Sequence, residues 1–227
     1  MSTIVVTGAD RGIGEALCLA AARRGDRAIA ACLDDAPALR AQGVRVEPGV
    51  DVTSDAAVAA FAGRLDGVAI DVLVHNAGLV IDRPLGSLDF DAMVREFQVN
   101  ALGPLRVTQA LLPMLKRGAK IGIVTSRVGS LGENGSGGLY GYRMSKAAAN
   151  MAGLNLARDL AARGIAVICL HPGTVRTKMT QGLGDTRTMG TLVEPADAAR
   201  GLLARIDELE LSSTGTFRHA NGETLPW

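Results

Sequence analysis

Apolar residues fall along this chain in two alternating patterns. Short runs rich in β-branched residues, at 3–7, 27–33, 44–47, 70–75, 120–125 and 165–171, are apolar at nearly every position. Such runs predict strands buried on both faces of a sheet. Between them lie Ala-, Leu- and Arg-rich segments with helical spacing, at 12–24, 36–42, 54–65, 89–116 with a break near Gly103-Pro104, and 142–163. Strict alternation of strand and helix requires parallel strands joined by right-handed crossovers, so the expected fold is a doubly wound, Rossmann-type α/β sheet with helices on both faces. A last helix at 196–208 and a short strand at 214–217 would close the sheet.

After His171 the pattern loosens through PGTVRTKMTQGLGDTRTMGTLVEP. A loop of about two dozen residues is unusual in a compact domain. Its place at the carboxyl end of a strand, where open α/β sheets bind ligands, predicts a flexible substrate loop at about 174–193. With no internal repeat or linker, residues 1–227 are expected to form a single domain.

Composition narrows the functional classes. Hydrophobic residues are 48% and charged residues 21%, enough to build a core and unlike a disordered chain. Lys and Arg number 24 against 23 Asp and Glu, which gives no general attraction for nucleic acid or an anionic membrane. No apolar run reaches the roughly eighteen residues of a membrane span, and STIVVTGADRG meets Gly and charge where a signal peptide would stay apolar, so a cytoplasmic location is expected. Cys18, Cys32 and Cys169 are scattered in apolar surroundings and read as buried thiols. His75, His171 and His219 have no ligand-spaced partner, which predicts hydrogen-bonded structural roles and no metal site.

Two motifs carry chemistry. Thr7-Gly8-Ala9-Asp10-Arg11-Gly12-Ile13-Gly14 sits where the first strand meets the first helix. Gly8 suits the tight turn, Gly12 admits a ligand to the backbone, Gly14 allows close helix–strand packing, and the helix N-terminus presents free N–H groups to a pyrophosphate. The spacing Gly-x-x-x-Gly-x-Gly is neither Gly-x-Gly-x-x-Gly nor a P-loop. Farther on, Tyr142 and Lys146 stand four residues apart on one helix face. A cation beside a phenol favours the phenolate, as a tyrosine exchanging protons with a carbonyl or alcohol oxygen requires.

These motifs, with Asn76-Ala77-Gly78, Asn100, Ser126 and Pro172-Gly173, occur in the order found in the short-chain dehydrogenase/reductase family, which the whole chain resembles. SRVGS, GGLYGYRMSKAAAN, HPGTVRTKM and NGETLPW further resemble the subgroup containing C-factor and the sniffer-type carbonyl reductases. The resemblance implies Tyr142 as general acid in reduction and base in oxidation, with Lys146 lowering its pKa and holding the nicotinamide ribose. It implies Ser126 as the hydrogen-bond partner of the substrate oxygen and Asn100 as support for a proton relay. It places Asn76, Ala77 and Gly78 along the cofactor, Asp51 with Val52 at the adenine edge, and Pro172, Gly173, Thr174, Val175 and Thr177 at the nicotinamide end. Ser126 lies sixteen residues before Tyr142, longer than the usual spacing, which makes Ser130 a rival; Tyr140 is a second phenol without a matching lysine.

For the nucleotide, the acid position of NAD enzymes aligns with neutral Cys32, and Arg11 matches the basic residue of NADP-preferring members. Leu33 stands where related reductases often carry Arg, and Asp34 and Asp35 would repel a phosphate if turned inward. The charge logic favours NADP, with NAD as the alternative. The expected activity is interconversion of a small carbonyl and an alcohol. The alternatives are a 3-oxoacyl carrier-protein type reductase and a C-factor-like nucleotide-binding signalling protein with little turnover. The family commonly pairs the long helices, here at 102–116 and 142–163, into a four-helix interface, so the resemblance implies a homodimer or homotetramer; the small residues Ala147, Ala148, Ala149, Ala152 and Gly153 would permit the close helix approach, and would equally suit packing against the sheet.

Overall fold

The computed structural model describes residues 1–181 and 192–227. The chain begins β1 (Thr3–Thr7), α1 (Gly12–Arg23), β2 (Arg27–Ala31), α2 (Pro37–Ala41), β3 (Arg45–Glu47), α3 (Asp55–Arg64) and β4 (Ile70–His75). It continues with α4 (Phe90–Phe97), a π-helical turn (Gln98–Leu102), α5 (Gly103–Leu111), β5 (Leu115–Val124), α6 (Tyr140–Ala161) and β6 (Ala166–His171). It ends with β7 (Thr174–Val175), α7 (Lys178–Gln181), β8 (Leu192–Val193), α8 (Pro195–Asp207) and β9 (Thr216–His219).

Seven strands form one sheet in the order β3-β2-β1-β4-β5-β6-β9, each neighbour parallel. The chain winds outward from β1 to β3, then returns to start beside β1 at β4 and winds the other way. The crevice between β1 and β4 is therefore the topological switch point, where such sheets bind nucleotides. The doubly wound α/β expectation holds.

The sheet has two cores because successive residues face opposite ways. Ile4 and Val6 point into a cluster with Leu17, Cys18, Leu202 and Ile206, so this face is covered by α1 and α8. Val5 points to the other side, among Phe61, Leu111, Ala149 and Leu160, under α3, α5 and α6. Complete burial of one such large side chain contributes roughly 1.5–3 kcal/mol. All three cysteines are buried and free, as the sequence predicts.

Several boundaries differ from the sequence pattern. The helix expected to run to 116 ends at Leu111, and β5 starts at Leu115, which pairs with Ile70 before the register shifts to Val72 beside Lys120. Gly118, at φ 86°, is incompatible with a continuing helix and lets the strand bulge. The helix is not broken at Gly103-Pro104 but widens into the π-helical turn, which ends with the Gly103 amide on the Gln98 carbonyl; Pro104, which lacks an N–H, follows at the start of α5. The final strand lies two residues later than expected, because the Thr214 hydroxyl accepts from the Val167 amide at 2.9 Å rather than joining the ladder. Of the substrate loop at 174–193, residues 182–191 lie outside the described part; its described ends pair as a two-stranded ribbon, β7 with β8.

Candidate active site

The glycine turn leaves the carboxyl end of β1 in a conformation that other residues resist. Gly8 and Gly12 both have φ 61°, and a side chain at Gly8 would collide with the Ala77 backbone at 2.6 Å. A side chain at Gly14 would lie 2.3 Å from the Gly8 carbonyl. Asn76 stitches this turn to β4, donating from its amide to the carbonyls of Thr7 at 3.1 Å and Gly8 at 2.8 Å. The Thr7 hydroxyl accepts from the amides of Asn76 and Ala77. Gly12 faces Thr177, whose methyl would be 3.4 Å from an added side chain, so the turn and the segment after β6 meet across the crevice.

Helix α1 begins here without a side-chain cap, whereas Ser54 and Asp89 cap α3 and α4. Its first N–H groups, the positive φ values and the absent side chains at Gly8, Gly12 and Gly14 make a cradle that fits a dinucleotide pyrophosphate. Ile13 packs into the core beneath the turn. Arg11 is 68% exposed and pairs with Asp10 at 2.9 Å. Cys32 is buried, its thiol directed to the Ala30 carbonyl, and burial pushes it up to about 11. Leu33 and Asp34 are exposed, and Asp35 is engaged by Arg40 at 2.8 Å. Asp51 accepts from the amide and hydroxyl of Thr53, while Val52 is buried against Gly103. Pro172 is buried, Gly173 has φ 87°, and Val175 is held in β7; Thr177 exchanges hydrogen bonds with Thr180.

At the ends of β4, β5 and α6 a second set converges. Ser126 follows β5 and accepts from the Val128 amide at 3.4 Å, and its hydroxyl is a hydrogen-bond partner of Tyr142. Lys146 is 4% exposed; its ammonium donates to the Val124 carbonyl at 3.0 Å and lies 5.6 Å from the centre of the Tyr142 ring. Burial lowers Lys146 from 10.5 to about 8. Burial pushes the Tyr142 phenol up to about 12, the hydrogen bond from Ser126 works against that rise, and the charge of Glu96 adds to it. Asn100, in the π-helical turn, accepts from the Leu79 amide at 2.8 Å and donates to the Leu79 carbonyl and the Ser145 hydroxyl. Its amide oxygen and the Lys146 ammonium both stand over Gly78, the end of the Asn76-Ala77-Gly78 segment.

The two rivals separate. Ser130 is buried and its hydroxyl accepts from Glu133 N, turning it into the following loop. Tyr140 borders a small cleft with Ile81, Arg83, Leu88, Asp89, Met93 and Gly141. His75 bonds Thr108 at 2.8 Å, and His171 stacks edge-on against His219. Among the described residues no cluster of His, Cys, Asp and Glu could hold a metal.

The chain's own pattern matches a known family model, short chain dehydrogenase, over residues 2–188. The chain belongs to the short-chain dehydrogenase family. Over the full length of both chains it is 49% identical to 1-hydroxy-2-glutathionyl-2-methyl-3-butene dehydrogenase of Rhodococcus sp. (strain AD45). Over 74% of this chain and 99% of the relative it is 46% identical to C-signal of Myxococcus xanthus. Its fold superposes on the NADPH-bound carbonyl reductase from chicken fatty liver with a TM-score of 0.90 and 27% identity, covering 100% of this chain and 99% of that one. As a short-chain dehydrogenase it is an NAD(P)-dependent oxidoreductase with a small-molecule substrate. No described helix is long and apolar enough to cross a membrane.

The structure of this short-chain dehydrogenase also adds residues that sequence spacing did not single out. Gly129 lets the turn after Ser126 press onto α6, since a side chain there would lie 2.7 Å from the Lys146 backbone. Arg143 donates to the carbonyls of Gly137 and Val128, each at 3.1 Å, and to the Ser136 hydroxyl at 2.8 Å. It thereby ties the exposed loop 131–138, which accounts for the long interval between Ser126 and Tyr142, to the turn beside Ser126. The uncommon interval was the signal in the sequence; the guanidinium that spans it was not.

Proposed function

We propose that this chain is an NADP-preferring oxidoreductase that interconverts a small carbonyl compound and an alcohol, with Tyr142 exchanging the proton at the substrate oxygen. The observation that carries this reading is the convergence of Ser126, Tyr142, Lys146 and Asn100 where β4 and β5 end, with Asn100 and Lys146 over Gly78. The nicotinamide supplies or accepts the hydride when the nucleotide is bound. Ser126 donates to the substrate oxygen and orients it toward the phenol. Lys146 opposes the burial that favours the neutral phenol and holds the ribose hydroxyls, while Asn100 fixes the Leu79 backbone and Ser145 around it. The cradle holds the pyrophosphate through Gly8, Gly12, Ile13 and Gly14, with Asn76, Ala77 and Gly78 along its inner wall. Asp51 and Val52 border the adenine, and Pro172, Gly173, Thr174, Val175 and Thr177 the nicotinamide.

Preference for NADP rests on charge. Arg11 stands in the glycine turn, 68% exposed and paired with Asp10, from which a 2′-phosphate would have to draw it; no acid occupies the Cys32 position, and Asp35 is paired with Arg40. Titration of intrinsic fluorescence should give tighter binding of NADPH than NADH, and Arg11→Ala should narrow the difference; tighter NADH binding refutes the preference.

A second reading, that the alcohol is a glutathionyl thioether alcohol, is favoured by the full-length 49% identity to the Rhodococcus dehydrogenase. Turnover against aldehydes, quinones, acyl ketones and a glutathionyl alcohol decides between the readings. Activity confined to acyl ketones would mark a 3-oxoacyl reductase, and nucleotide binding without turnover a signalling protein.

Self-association belongs to the same proposal. Phe90, Val94, Phe97 and Leu105 on α4 and α5, with Met144 and Met151 on α6, are exposed apolar side chains that a second copy would cover. Light scattering at micromolar concentration should give at least twice 23.5 kDa; a mass of 23.5 kDa refutes it.

A further inference from the structure

Arg127 directly follows Ser126, yet the proposed chemistry gives it no part. Its guanidinium reaches two separate segments. Nη2 donates to the Glu223 carboxylate at 2.5 Å, and Nε lies 3.2 Å from the carboxylate of Glu133 in loop 131–138. Nε is closed off from water and makes no hydrogen bond among the described residues, so its hold on Glu133 is one of charge. Glu223 comes from a hairpin that follows β9, the edge strand of the sheet. The chain turns at Gly222, which has φ 102°, and runs back antiparallel to β9. The His219 amide donates to the Glu223 carbonyl and the Leu225 amide to the Phe217 carbonyl, each at 2.8 Å. Leu225 is buried in the core and Trp227 stacks on Phe217 with ring centroids 5.5 Å apart, so the hairpin is anchored by β9 and the core rather than by the site.

This hairpin meets the serine turn and its loop at two points: Glu223 on Arg127, and the Trp227 carbonyl, which accepts from the Gly132 amide at 3.1 Å. The turn closes on its own backbone, with the Gly129 amide on the Ser126 carbonyl and the Ser130 amide on the Arg127 carbonyl, each at 2.9 Å. Ser126 and Arg127 therefore move together. The side chains of Arg127, Glu133 and Glu223 are 39%, 29% and 49% exposed, and ion pairs in such settings contribute little to stability. Two carboxylates from separate segments do fix where the guanidinium sits, and through it the turn.

We propose that Arg127 is a positioning residue for Ser126: held between Glu133 and Glu223, it seats the serine turn on the hairpin after β9, so that residues 220–227 help aim the hydroxyl toward the substrate oxygen. The inference rests on the reading of Ser126 as the hydrogen-bond partner of that oxygen. Arg143 holds the same turn from the α6 side through the Val128 carbonyl, so loss of Arg127 loosens the turn without freeing it.

The test is a cycle of Ser126→Ala and Arg127→Met in the full chain, with kcat and NADPH affinity measured on the aldehyde or quinone that the parent turns over fastest. Arg127→Met should lower kcat about tenfold or more and leave NADPH affinity within about twofold, since the cradle is untouched. In a chain that already carries Ser126→Ala, the same substitution should change kcat by less than about twofold, because the hydroxyl it aims is gone. A kcat near that of the parent, an equal loss in both backgrounds, or a matching loss of NADPH affinity overturns the proposal. Ser126→Ala with a kcat near the parent's refutes the reading of Ser126 and the proposal with it, whereas a large loss there beside an unaffected Arg127→Met overturns the positioning alone. Without turnover, hydrogen exchange gives a second readout: the Gly129 and Ser130 amides should exchange roughly tenfold faster in Arg127→Met, and unchanged rates overturn the proposal. If that variant does not fold, Glu223→Gln, at a half-exposed position, enters the same cycle with a loss of about threefold or more expected, and the same outcomes overturn the proposal.

Discussion

Replacing Lys146 with methionine should make the nucleotide-free protein more stable at neutral pH while disabling it. The side chain is 4% exposed, its ammonium has one carbonyl partner, Val124, and burial lowers it from 10.5 to about 8. That displacement corresponds to about 3 kcal/mol of cost for keeping the ammonium buried and charged at pH 7. Lys146→Met removes this cost and forfeits a hydrogen bond worth about 1 kcal/mol, for a net gain of about 2 kcal/mol. For a chain of this length the melting temperature should rise by about 4–8 °C. The folded-state pKa is below the unfolded one, so between pH 8 and 10.5 the unfolded chain binds more protons and wild-type stability from this group climbs with pH. The variant's advantage should therefore shrink across that window and reverse to a deficit of about 1 kcal/mol above it. Urea unfolding of both proteins at a series of pH values measures the difference directly. A variant less stable at pH 7, or a difference that does not change with pH, refutes the assignment of Lys146 as a buried, charged group.

Gly14→Ala should destabilise the fold and abolish nucleotide binding, because its methyl would lie 2.3 Å from the Gly8 carbonyl; Gly12→Ala, with room beside Thr177, should cost only about 1 kcal/mol for its positive φ. Thermal unfolding and fluorescence titration compare the two, and equal losses would contradict the account of the turn. Arg143→Ala should lower kcat about tenfold or more with nucleotide affinity preserved, since the clamp fixes Ser126 against Tyr142 rather than the cradle. An unchanged kcat would show that loop 131–138 does not set that geometry. Burial drives His75 and His171 down to about 3 from 6.5, so as pH falls through that window the unfolded chain gains protons first and stability is lost. His75→Gln should flatten the acid side of the stability profile, and an unaltered slope would contradict this.

The doubly wound sheet was legible because each central strand is apolar on both sides and each connecting segment has a helical stripe, a pattern that few other arrangements satisfy. The candidate site was legible where chemistry demands a residue type at a fixed spacing: three glycines around a turn, and a lysine one helical turn after a tyrosine. Boundaries were not. The end of the helix near 111 and the start of β5 at Leu115 depend on pairing with Ile70, a contact 45 residues away in sequence that no local pattern encodes. The same holds for Glu96, which reads as an ordinary polar position on an amphipathic helix. Only the packing of α4 under Gly141 turns it inward. Cys32 reads in the sequence both as a buried thiol and, through the family resemblance, as the position of the ribose acid; in the fold it follows β2 with its thiol buried in the core on the α1 face.

The most direct test of the central claim is a single-turnover measurement of NADPH oxidation by Tyr142→Phe with a carbonyl substrate found active for the parent. The phenylalanine keeps the ring beside Lys146 and removes only the hydroxyl that exchanges the proton. The account predicts a rate reduced roughly 10²-fold or more, with NADPH affinity within about twofold of the parent. A rate near that of the parent at unchanged affinity would contradict it.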